Sequence, residues 1–372
     1  MGLEDIALTM TPGLGVRGAV RLLEVFSSAE RIFGASREEL IHFAELNAKV
    51  ADAVVGRVAF AQARKEMEYC RRHNIVAIAS TDEAYPPLLR EVADYPHVIY
   101  VMGNPAVLKQ RGVSVVGTRR ISSYGDRACV KLVKDLHARL SDVAIVSGLA
   151  FGVDSSAHRA AVHFGVPTVA VVPCALPGVV PTQHTGLAAD IIAGGGAILS
   201  ECHSQTKQRG NLYLSRNRII AALSEVTVVV ESPLSGGSIF TANTAHGYER
   251  LVEAMPGRLF DANSAGCNML INRRVALLYT SADDLIRELM WDGVEPSDRA
   301  MVAPLDSDLS PAQLSLIKHF EGGESLSIEE LCDLTQLAVS ELAVMVTELE
   351  LLGHLHKVKG NRYELLNVVV AR

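Results

Sequence analysis

The sequence predicts an α/β protein built on a parallel sheet, with a small helical domain before the sheet and a separate module after it. Two apolar runs predict the sheet, residues 113–117 and 143–148, because both are rich in β-branched residues and end in glycine. A helical pattern follows each run, over residues 124–140 and 154–164, with Asp154 as the expected N-cap of the second helix. A buried strand, a glycine-containing turn and a helix form the unit from which parallel sheets are built.

The N-terminal residues 1–60 are predicted to form short helices. Their glycine pattern at residues 13–18 formally matches a dinucleotide-binding fingerprint, but Pro12 precedes it and no strand leads into it. The segment is more similar to the turn of a helix-hairpin-helix unit, which can hold a DNA phosphate on its backbone amides. A purely structural helical module is the favoured interpretation, because only Arg17 and Arg21 add positive charge between residues 12 and 26.

The remaining elements of the sheet domain follow from apolar runs separated by turn residues. Further strands are predicted at residues 75–80, 97–102, 168–174, 197–201, 226–231 and 275–280. Helices are predicted at residues 59–72, 216–223, 238–249 and 282–289. We therefore place a helical domain at residues 1–60, the sheet domain at 61–295, a proline-containing linker at 296–308 and a last module at 309–372.

The last module has the pattern of a winged helix. Its predicted elements are a helix that opens at Ser310-Pro311, helices at 328–335 and 340–352, and strands at 354–358 and 362–366. The third helix carries Glu341, Glu348 and Glu350 and no basic residue, which suits a phosphate-lined DNA groove poorly. A protein-contact or regulatory module is therefore favoured, although the wing itself carries Lys357, Lys359 and Arg362.

Composition indicates a folded protein without a membrane span, because no apolar run approaches the ~20 residues that a span needs. The first residues do not resemble a signal peptide, and the six cysteines form no Cys-x-x-Cys pair. We expect reduced thiols in the cytoplasm, and no metal site or cofactor. The net charge is −7, yet residues 96–124 and 203–223 contain no acid and several basic residues. These two stretches predict a local electropositive cleft.

The candidate site lies where the predicted strands end, because ligands of parallel sheets bind beyond the carboxyl ends of the strands. Backbone N–H groups at these turns and helix starts suit an anion, and arginine presents a planar fork to phosphate. The candidate residues are Gly117, Thr118, Arg119, Ser147, Gly148, Arg216, Asn217, Arg218, Gly237 and Ser238.

Enzymatic interpretations are less well supported than binding. Asp154, Ser155 and His158 could suggest a catalytic triad, but the sequence has no strained turn that would display a serine nucleophile. An N-capping Asp154 that braces His158 is the favoured explanation. A nucleotide-hydrolysing enzyme would need a glutamate within a turn of Gly237, and residues 241–246 contain no acid. A dinucleotide-binding enzyme lacks the acidic residue expected about 20 residues after the first glycine turn.

Several phrases, in this order and spacing, resemble the DNA-processing protein A (DprA/Smf) family. They are Val116-Gly117-Thr118-Arg119 with Tyr124-Gly125, Ser147-Gly148-Leu149-Ala150 with Gly152-Val153-Asp154 and Ala157-His158, Leu199-Ser200-Glu201, Arg216-Asn217-Arg218-Ile219-Ile220 with Leu223-Ser224, Gly237-Ser238 with Thr241-Ala242, and Pro256-Gly257. The resemblance covers about residues 76–289.

The resemblance implies an extended Rossmann-like core between an N-terminal SAM-like or helix-hairpin-helix-like domain and a C-terminal winged helix. It implies a non-catalytic protein that binds single-stranded DNA, forms a homodimer and loads RecA recombinase during natural transformation. By motif, Gly117, Thr118 and Arg119 would hold phosphate at the first strand end, and Ser147 and Gly148 would line the next. In the same way Arg216 and Asn217 would form the far wall, with Gly237 and Ser238 as the last cradle.

Three short stretches depart from the family pattern. Phe151 stands where the family usually has arginine, Thr182 where it has a DNA-contacting lysine, and Tyr213-Leu214 where it has Phe-Pro. Losing two cations should weaken the salt-dependent part of DNA binding. Lys207 or Arg209 could compensate for this loss, and Phe151 or Tyr213 could stack on a base.

Overall fold

A computed structural model describes residues 1–207, 210–293, 309–320, 325–351, 354–358 and 362–365. The chain forms two compact units, Met1–Leu289 and Met290–Arg372, and each is described by itself below. The predicted linker at residues 296–308 lies outside the described residues.

The first unit begins with a cluster of six helices. They are α1 (Leu3–Met10), α2 (Val16–Phe26), α3 (Ala29–Gly34), α4 (Arg37–Ala44), α5 (Ala48–Val55) and α6 (Phe60–Arg72). Side-chain oxygens of Ser28, Ser36 and Asn47 cap three of them, as expected for residues that compete with the backbone for hydrogen bonds. Apolar side chains of these helices, among them Ile6 and Leu22, form a separate buried core. The predicted short helices are present.

A sheet of nine strands follows in the same unit. The strands are β1 (Val76–Ala79), β2 (Val98–Gly103), β3 (Arg111–Val116), β4 (Val143–Ser147), β5 (Thr168–Val171), β6 (Ala197–Ser200), β7 (Val226–Val229), β8 (Leu251–Ala254) and β9 (Leu277–Leu278). Their order is β1-β2-β6-β5-β4-β3-β7-β8-β9. The strands from β6 to β9 are parallel, as predicted, whereas β1 and β2 extend that sheet in antiparallel fashion. Strand β8 was not predicted from the sequence, and β9 is shorter than the predicted strand at residues 275–280.

Helices connect the strands and cover the sheet. They are α7 (Pro87–Arg90), α8 (Ser123–Arg139), α9 (Val153–Phe164), α10 (Thr185–Ala193), α11 (Leu212–Ala222), α12 (Gly237–Gly247), α13 (Ala265–Asn272) and α14 (Ala282–Glu288). Helices α7, α10 and α13 were not predicted from the sequence. Helix α11 was predicted to begin near residue 216, whereas it begins at Leu212.

The strand order reverses beside β3, and this reversal places the candidate site. From β3 the chain continues through β4, β5 and β6 on one side, and then returns to β7 on the other side of β3. Both neighbours pair with β3 in parallel. At such a switch point the connections leave the sheet in opposite directions, which opens a crevice beyond the carboxyl ends of the strands.

The second unit contains α15 (Pro311–Ile317), β10 (Leu326–Ser327), α16 (Ile328–Thr335), α17 (Val339–Leu351), β11 (Leu355–Val358) and β12 (Arg362–Leu365). The strands form an antiparallel sheet in the order β10-β12-β11. This is the predicted winged helix, with β10 as a strand that the sequence analysis missed. Leu342, Val346 and Leu349 of α17 are buried in the core of the unit, as expected. The predicted turn at residues 359–361 lies outside the described part of the chain.

Candidate nucleic-acid interface

A cleft of about 250 Å³ opens at the switch point of the sheet. We call it the switch-point cleft. Its lining includes seven of the ten predicted site residues: Gly117, Thr118, Arg119, Arg216, Asn217, Gly237 and Ser238. The fold therefore brings together residues that were predicted from separate strand ends and are far apart in the sequence.

The turn after β3 forms one wall and leaves Arg119 free to reach a ligand. The N–H of Thr118 donates to the Glu231 carbonyl at 2.7 Å, and the Thr118 carbonyl accepts from Val153 N–H at 3.1 Å. These bonds fix the backbone while the Arg119 side chain stays exposed. Within the described residues no carboxylate pairs with Arg119, and its guanidinium lies 5.7 Å from the centre of the Tyr213 ring. An arginine that is held only by an aromatic face remains available to an anion.

The N-terminus of α8, which follows the same turn, is already occupied. Both carboxylate oxygens of Glu231 accept hydrogen bonds from Ser122, one from its hydroxyl and one from its N–H. Gly125 lies against this carboxylate so closely that any side chain at that position would overlap it. A buried glutamate therefore takes the place that an anion could occupy, and the first helix start does not serve as a phosphate cradle.

The start of α12 forms the opposite wall and is open. Its N-cap is Gly236, which has no side chain to satisfy the first N–H groups of the helix. The Ser238 hydroxyl is buried and donates to the Ser232 hydroxyl at 2.8 Å, so it shapes the loop. A Cβ at Gly237 would lie 3.9 Å from Asn217 Nδ2, which places the Asn217 amide beside the helix start. Free N–H groups and an amide donor form a cradle that suits an anion.

Arg216 forms the floor of the cleft and is buried. Its Nη1 donates to the carbonyls of Gly148 and Val171, the latter at 2.6 Å, and its Nε donates to Asn217 Oδ1 at 3.0 Å. Burial lowers the pKa of Arg216, Asp154 raises it, and the nearby charge of Arg119 lowers it further. A guanidinium keeps its charge under all physiological conditions, so Arg119 and Arg216 place two positive charges in one cleft.

Ser147 and Gly148 do not line the cleft but build its floor. The Ser147 hydroxyl is buried and donates to the Val115 carbonyl at 2.6 Å. Gly148 leaves the space that the Arg216 guanidinium fills, since a Cβ at this position would overlap Arg216. Gly148 therefore makes room for Arg216, and the Ser147 side chain is turned away from the open cleft.

The structure corrects the predicted roles of Asp154 and His158. Gly152 is the N-cap of α9, and the buried Asp154 carboxylate accepts from the N–H groups of Gly148 at 3.2 Å and Ala150 at 3.3 Å. Burial raises the pKa of Asp154, and Arg216 opposes this shift. His158 is not braced by Asp154, because its Nδ1 bonds with the Thr168 hydroxyl at 2.7 Å. The Asp154 carboxyl instead lies near Arg216 and raises the pKa of that guanidinium.

Arg218 does not reach the switch-point cleft. Its side chain forms an ion pair with Glu201, and its Nη1 donates to the Asp94 carbonyl at 2.6 Å. It lies in a separate open depression with Arg17 and Tyr248, on the other side of α11. Residues two positions apart on a helix point in nearly opposite directions, so Arg216 and Arg218 cannot face the same cleft.

A second depression of about 430 Å³ shares Arg119 with the cleft. We call it the Phe151 depression. It is lined by Arg120, Phe151, Arg159 and His184, and the exposed Phe151 ring lies edge-on to His184 at 4.7 Å. Its acid, Asp126, accepts a hydrogen bond from the Ser156 hydroxyl at 2.7 Å. The sequence analysis missed Arg159 and His184, although Arg159 lies one helical turn after Ser155 and its neighbouring glycine-rich motif.

The positions that depart from the family pattern border these depressions. Phe151 lines the Phe151 depression, Thr182 is exposed, and the Tyr213 ring lies against the Arg119 guanidinium. Of the two predicted compensating cations, Lys207 is exposed and Arg209 lies outside the described residues. Arg120 and Arg159 supply positive charge in the same depression as Phe151.

The cleft offers little for hydrolysis. Among its lining residues the one acid is Asp154, whose carboxylate is held by two backbone N–H groups. In the described ranges, no three His, Cys, Asp or Glu side chains gather in an arrangement suited to a metal ion. Over the same ranges, no helix combines the length and the apolar character that crossing a membrane requires.

Comparison with known proteins decides the family. The profile described as DNA recombination-mediator protein A matches residues 76–290, which is more than half of the chain. The chain belongs to this family. The profile of the DprA winged helix domain matches residues 302–361. The resemblance drawn from the strand-end motifs is thereby confirmed.

Relatives and solved structures of this DprA/Smf family agree with the assignment. Protein Smf of Escherichia coli K12 is 33% identical over 294 residues, which cover 77% of each chain. DNA processing protein DprA of Streptococcus pneumoniae R6 is 36% identical over 207 residues, covering 56% of this chain and 72% of the relative. The X-ray structure of DprA from Streptococcus pneumoniae superposes with a TM-score of 0.68 at 29% identity, covering 77% of this chain and 98% of that one.

A second solved structure concerns DNA processing protein A from Helicobacter pylori, with a TM-score of 0.52 and 28% identity. It covers 59% of this chain and 96% of the Helicobacter chain, and it is described as giving insight into a single-stranded DNA binding mode.

Proposed function

We propose that this protein binds single-stranded DNA in the switch-point cleft, without base preference and without catalysing a reaction. As a homodimer in the cytoplasm, it protects incoming DNA and loads RecA recombinase onto it during natural transformation. The observation that carries the binding proposal is the pair Arg119 and Arg216, two guanidinium groups of one cleft beside an open helix start.

The chemistry of the cleft supports a nucleic acid backbone as the ligand. Arg119 is exposed and without a carboxylate partner in the described residues, so it can give its hydrogen bonds to a phosphate. The start of α12 adds N–H groups to the same cleft, and Asn217 adds an amide. These groups recognise phosphate and carry no information about base sequence.

One exposed ring and one half-buried ring near the arginines support a single strand over a duplex. Phe151 is exposed in the Phe151 depression, and Tyr213 lies against Arg119. A single strand can turn its bases onto such rings, whereas a duplex keeps its bases stacked inside. The Helicobacter pylori relative, whose structure is described in terms of single-stranded DNA binding, supports the same ligand class.

Family membership supports the role of a mediator over that of an enzyme. The matching profile is described as a recombination-mediator protein, and loading RecA is the activity that we assign to this description. The alternative is a nucleotide-binding or nucleotide-hydrolysing enzyme with the same glycine cradles. It would need a free carboxylate in the cleft, and Asp154 is engaged by backbone N–H groups and by Arg216.

The test is a fluorescence anisotropy titration of the full-length protein. Labelled single strands and duplexes of equal length and several base compositions are compared, with free nucleotides as competitors and as substrates. We expect single strands to bind more tightly than duplex, with little effect of base composition, and no nucleotide turnover. Equal affinity for duplex, or hydrolysis of a nucleotide, would contradict the proposal. RecA loading is tested separately, by the rate of RecA filament growth on strands covered by single-strand-binding protein.

A further inference from the structure

The loop between β8 and α13, residues 256–263, exposes large apolar side chains at its tip. We call it the β8–α13 loop. Leu259 is 83% exposed, and Phe260, next to it, has no protein contact that shields it from water. Arg258 precedes them and is also exposed. Adjacent exposed apolar residues of this size have a hydration cost, so their position calls for a ligand or partner.

The loop is held in place at both ends. Asn268 forms two hydrogen bonds with the Gly257 backbone, at 3.2 Å to its N–H and 3.0 Å to its carbonyl. At the other end the Asn263 carbonyl accepts from Ser232 N–H at 2.7 Å. Within the loop, Asp261 N–H donates to the Arg258 carbonyl at 3.1 Å. The tip is therefore displayed on a braced backbone, which lowers the entropy lost when a ligand is bound.

These braces also connect the loop to the switch-point cleft. The Asn263 amide donates to the Arg120 carbonyl at 3.1 Å, and Arg120 follows the cleft residue Arg119. Ser232, which holds Asn263, accepts from the hydroxyl of the cleft residue Ser238 at 2.8 Å. The loop follows β8, and the cleft borders β7, so both lie beyond the carboxyl ends of neighbouring parallel strands. A single strand of nucleic acid that leaves the cleft beside Arg120 would therefore run toward this loop.

We propose that the β8–α13 loop is a further contact site for the same single-stranded nucleic acid, with a base stacked on Phe260 and a phosphate bound by Arg258. This proposal rests on the proposed function of the cleft. In the described part of the chain no carboxylate forms an ion pair with Arg258, so its charge is available. The carboxylate of nearby Asp261 instead accepts a hydrogen bond from Asn263 N–H at 3.0 Å, within the loop. An aromatic ring beside a free arginine is the combination that binds single strands without base preference.

A second copy of the protein is the competing occupant, since exposed apolar residues also serve subunit contacts. The hydrogen bonds to Arg120 and Ser232 favour nucleic acid, because they make the loop continuous with the phosphate-binding cleft. The charge of Arg258 beside the exposed ring also matches a phosphate backbone with bases attached.

The direct test uses Phe260→Trp in the full-length protein. The chain contains a single tryptophan, Trp291, which is buried, so the wild type supplies the background signal. We expect oligothymidylate to quench the added fluorescence as a base stacks on the indole. Phe260→Ala should weaken binding of long oligothymidylate about tenfold, because stacking contributes roughly 1–3 kcal/mol per base. Phe43→Ala removes an exposed ring, 58% exposed, from α4 and serves as the matched control with unchanged affinity.

A second arm separates this proposal from the function of the cleft. Arg258→Ala should lower the salt slope of binding by about 0.7 for one lost phosphate contact to a single strand. The loop proposal is wrong, and the cleft proposal stands, if three results occur together. Arg119→Ala weakens binding, Phe260→Ala and Arg258→Ala bind as tightly as wild type, and oligothymidylate does not quench the fluorescence of Phe260→Trp. If wild type itself does not bind single strands, the proposed function fails first. A change of mass in light scattering for Phe260→Ala, with DNA affinity unchanged, would instead assign the loop to a contact between copies.

Discussion

Arg216 occupies the space that Gly148 leaves open. The guanidinium donates to the carbonyls of Gly148 and Val171, and any side chain at position 148 would overlap it. The glycine at the end of β4 is thus required by an arginine that lies 68 positions further along the chain. This relationship links a strand-end glycine to the charge at the bottom of the cleft.

Gly148→Ala should therefore displace Arg216 and damage both stability and binding. Overpacking at a close-packed position costs about 1–3 kcal/mol, and the moved guanidinium would leave the cleft floor. Urea unfolding and an anisotropy titration measure the two effects. Gly186→Ala, at an open position within α10, is the control and should change neither. If Gly148→Ala has the stability and the DNA affinity of wild type, the position of Arg216 against Gly148 matters for neither.

Arg119→Ala should weaken binding to every single strand and leave the fold intact. Arg119 is exposed, so its removal opens no cavity, but one phosphate contact is lost. The slope of log affinity against log salt should fall by about 0.7 for a single strand. Arg64→Ala removes the same charge from an exposed position on α6 and should leave the slope unchanged. Equal slopes for wild type and Arg119→Ala would remove Arg119 from the site.

Glu253 should make the protein less stable at high pH. The side chain is 3% exposed, its Oε2 has no hydrogen-bond partner in the described residues, and burial, with Glu288 and Asp284, raises its pKa to about 8. Because the pKa of Glu253 is higher in the folded protein than in the unfolded chain, folding favours the protonated carboxyl. The contribution of Glu253 to stability is therefore complete below about pH 4 and is lost as the pH rises to about 8.

Glu253→Gln should flatten this decline, because the amide cannot ionise. At pH 8.5 we expect the variant to be more stable than wild type by about 1–3 kcal/mol, since each unit of pKa shift corresponds to ~1.4 kcal/mol. Urea midpoints from pH 5 to 9 test this. Glu249→Gln, at an exposed position, provides the comparison and should follow the wild-type curve. A parallel decline in wild type and Glu253→Gln would show that Glu253 is not responsible.

Removal of the winged helix should leave most of the DNA affinity. Glu348 of α17 accepts a hydrogen bond from Gln313 at 2.8 Å, and Leu342 and Leu349 pack into the core of the unit. An acidic third helix would be repelled by phosphates in a DNA groove. A chain that ends at residue 307 should bind single strands within about tenfold of the full chain, or roughly 1.4 kcal/mol. A larger loss with the first unit still folded would assign DNA contacts to the winged helix.

The sequence predicted the sheet and most of the cleft because both depend on local patterns. Strands that end in glycine can be read from short apolar runs, and parallel strands bring their carboxyl ends together. The direction of each arginine could not be read in the same way. Arg216 and Arg218 are alike in sequence, but they point to opposite sides of α11. Arg216 meets the carbonyls of Gly148 and Val171, and Arg218 meets Glu201.

Other features depended on tertiary contacts that short patterns do not show. The N-cap role expected of Asp154 failed because the backbone N–H groups of Gly148 and Ala150 compete for its carboxylate. Strand β8 is short and contains the buried Glu253, which hid its apolar character. The exposed Phe260 looks like any loop residue in the sequence, because the hydrogen bonds of Asn263 to Arg120 and Ser232, which hold the loop beside the cleft, are tertiary contacts.

Photocrosslinking of single-stranded DNA to the full-length protein tests the central claim most directly. Oligonucleotides that carry 5-iodouracil are irradiated in the complex, and the crosslinked peptides are identified by mass spectrometry. Aromatic rings beside the bound strand react most readily, so binding in the cleft predicts crosslinks at Tyr213 or Phe151, in peptides that border the switch-point cleft. Crosslinks confined to residues 309–372, or to surfaces away from the carboxyl ends of the strands, would contradict it.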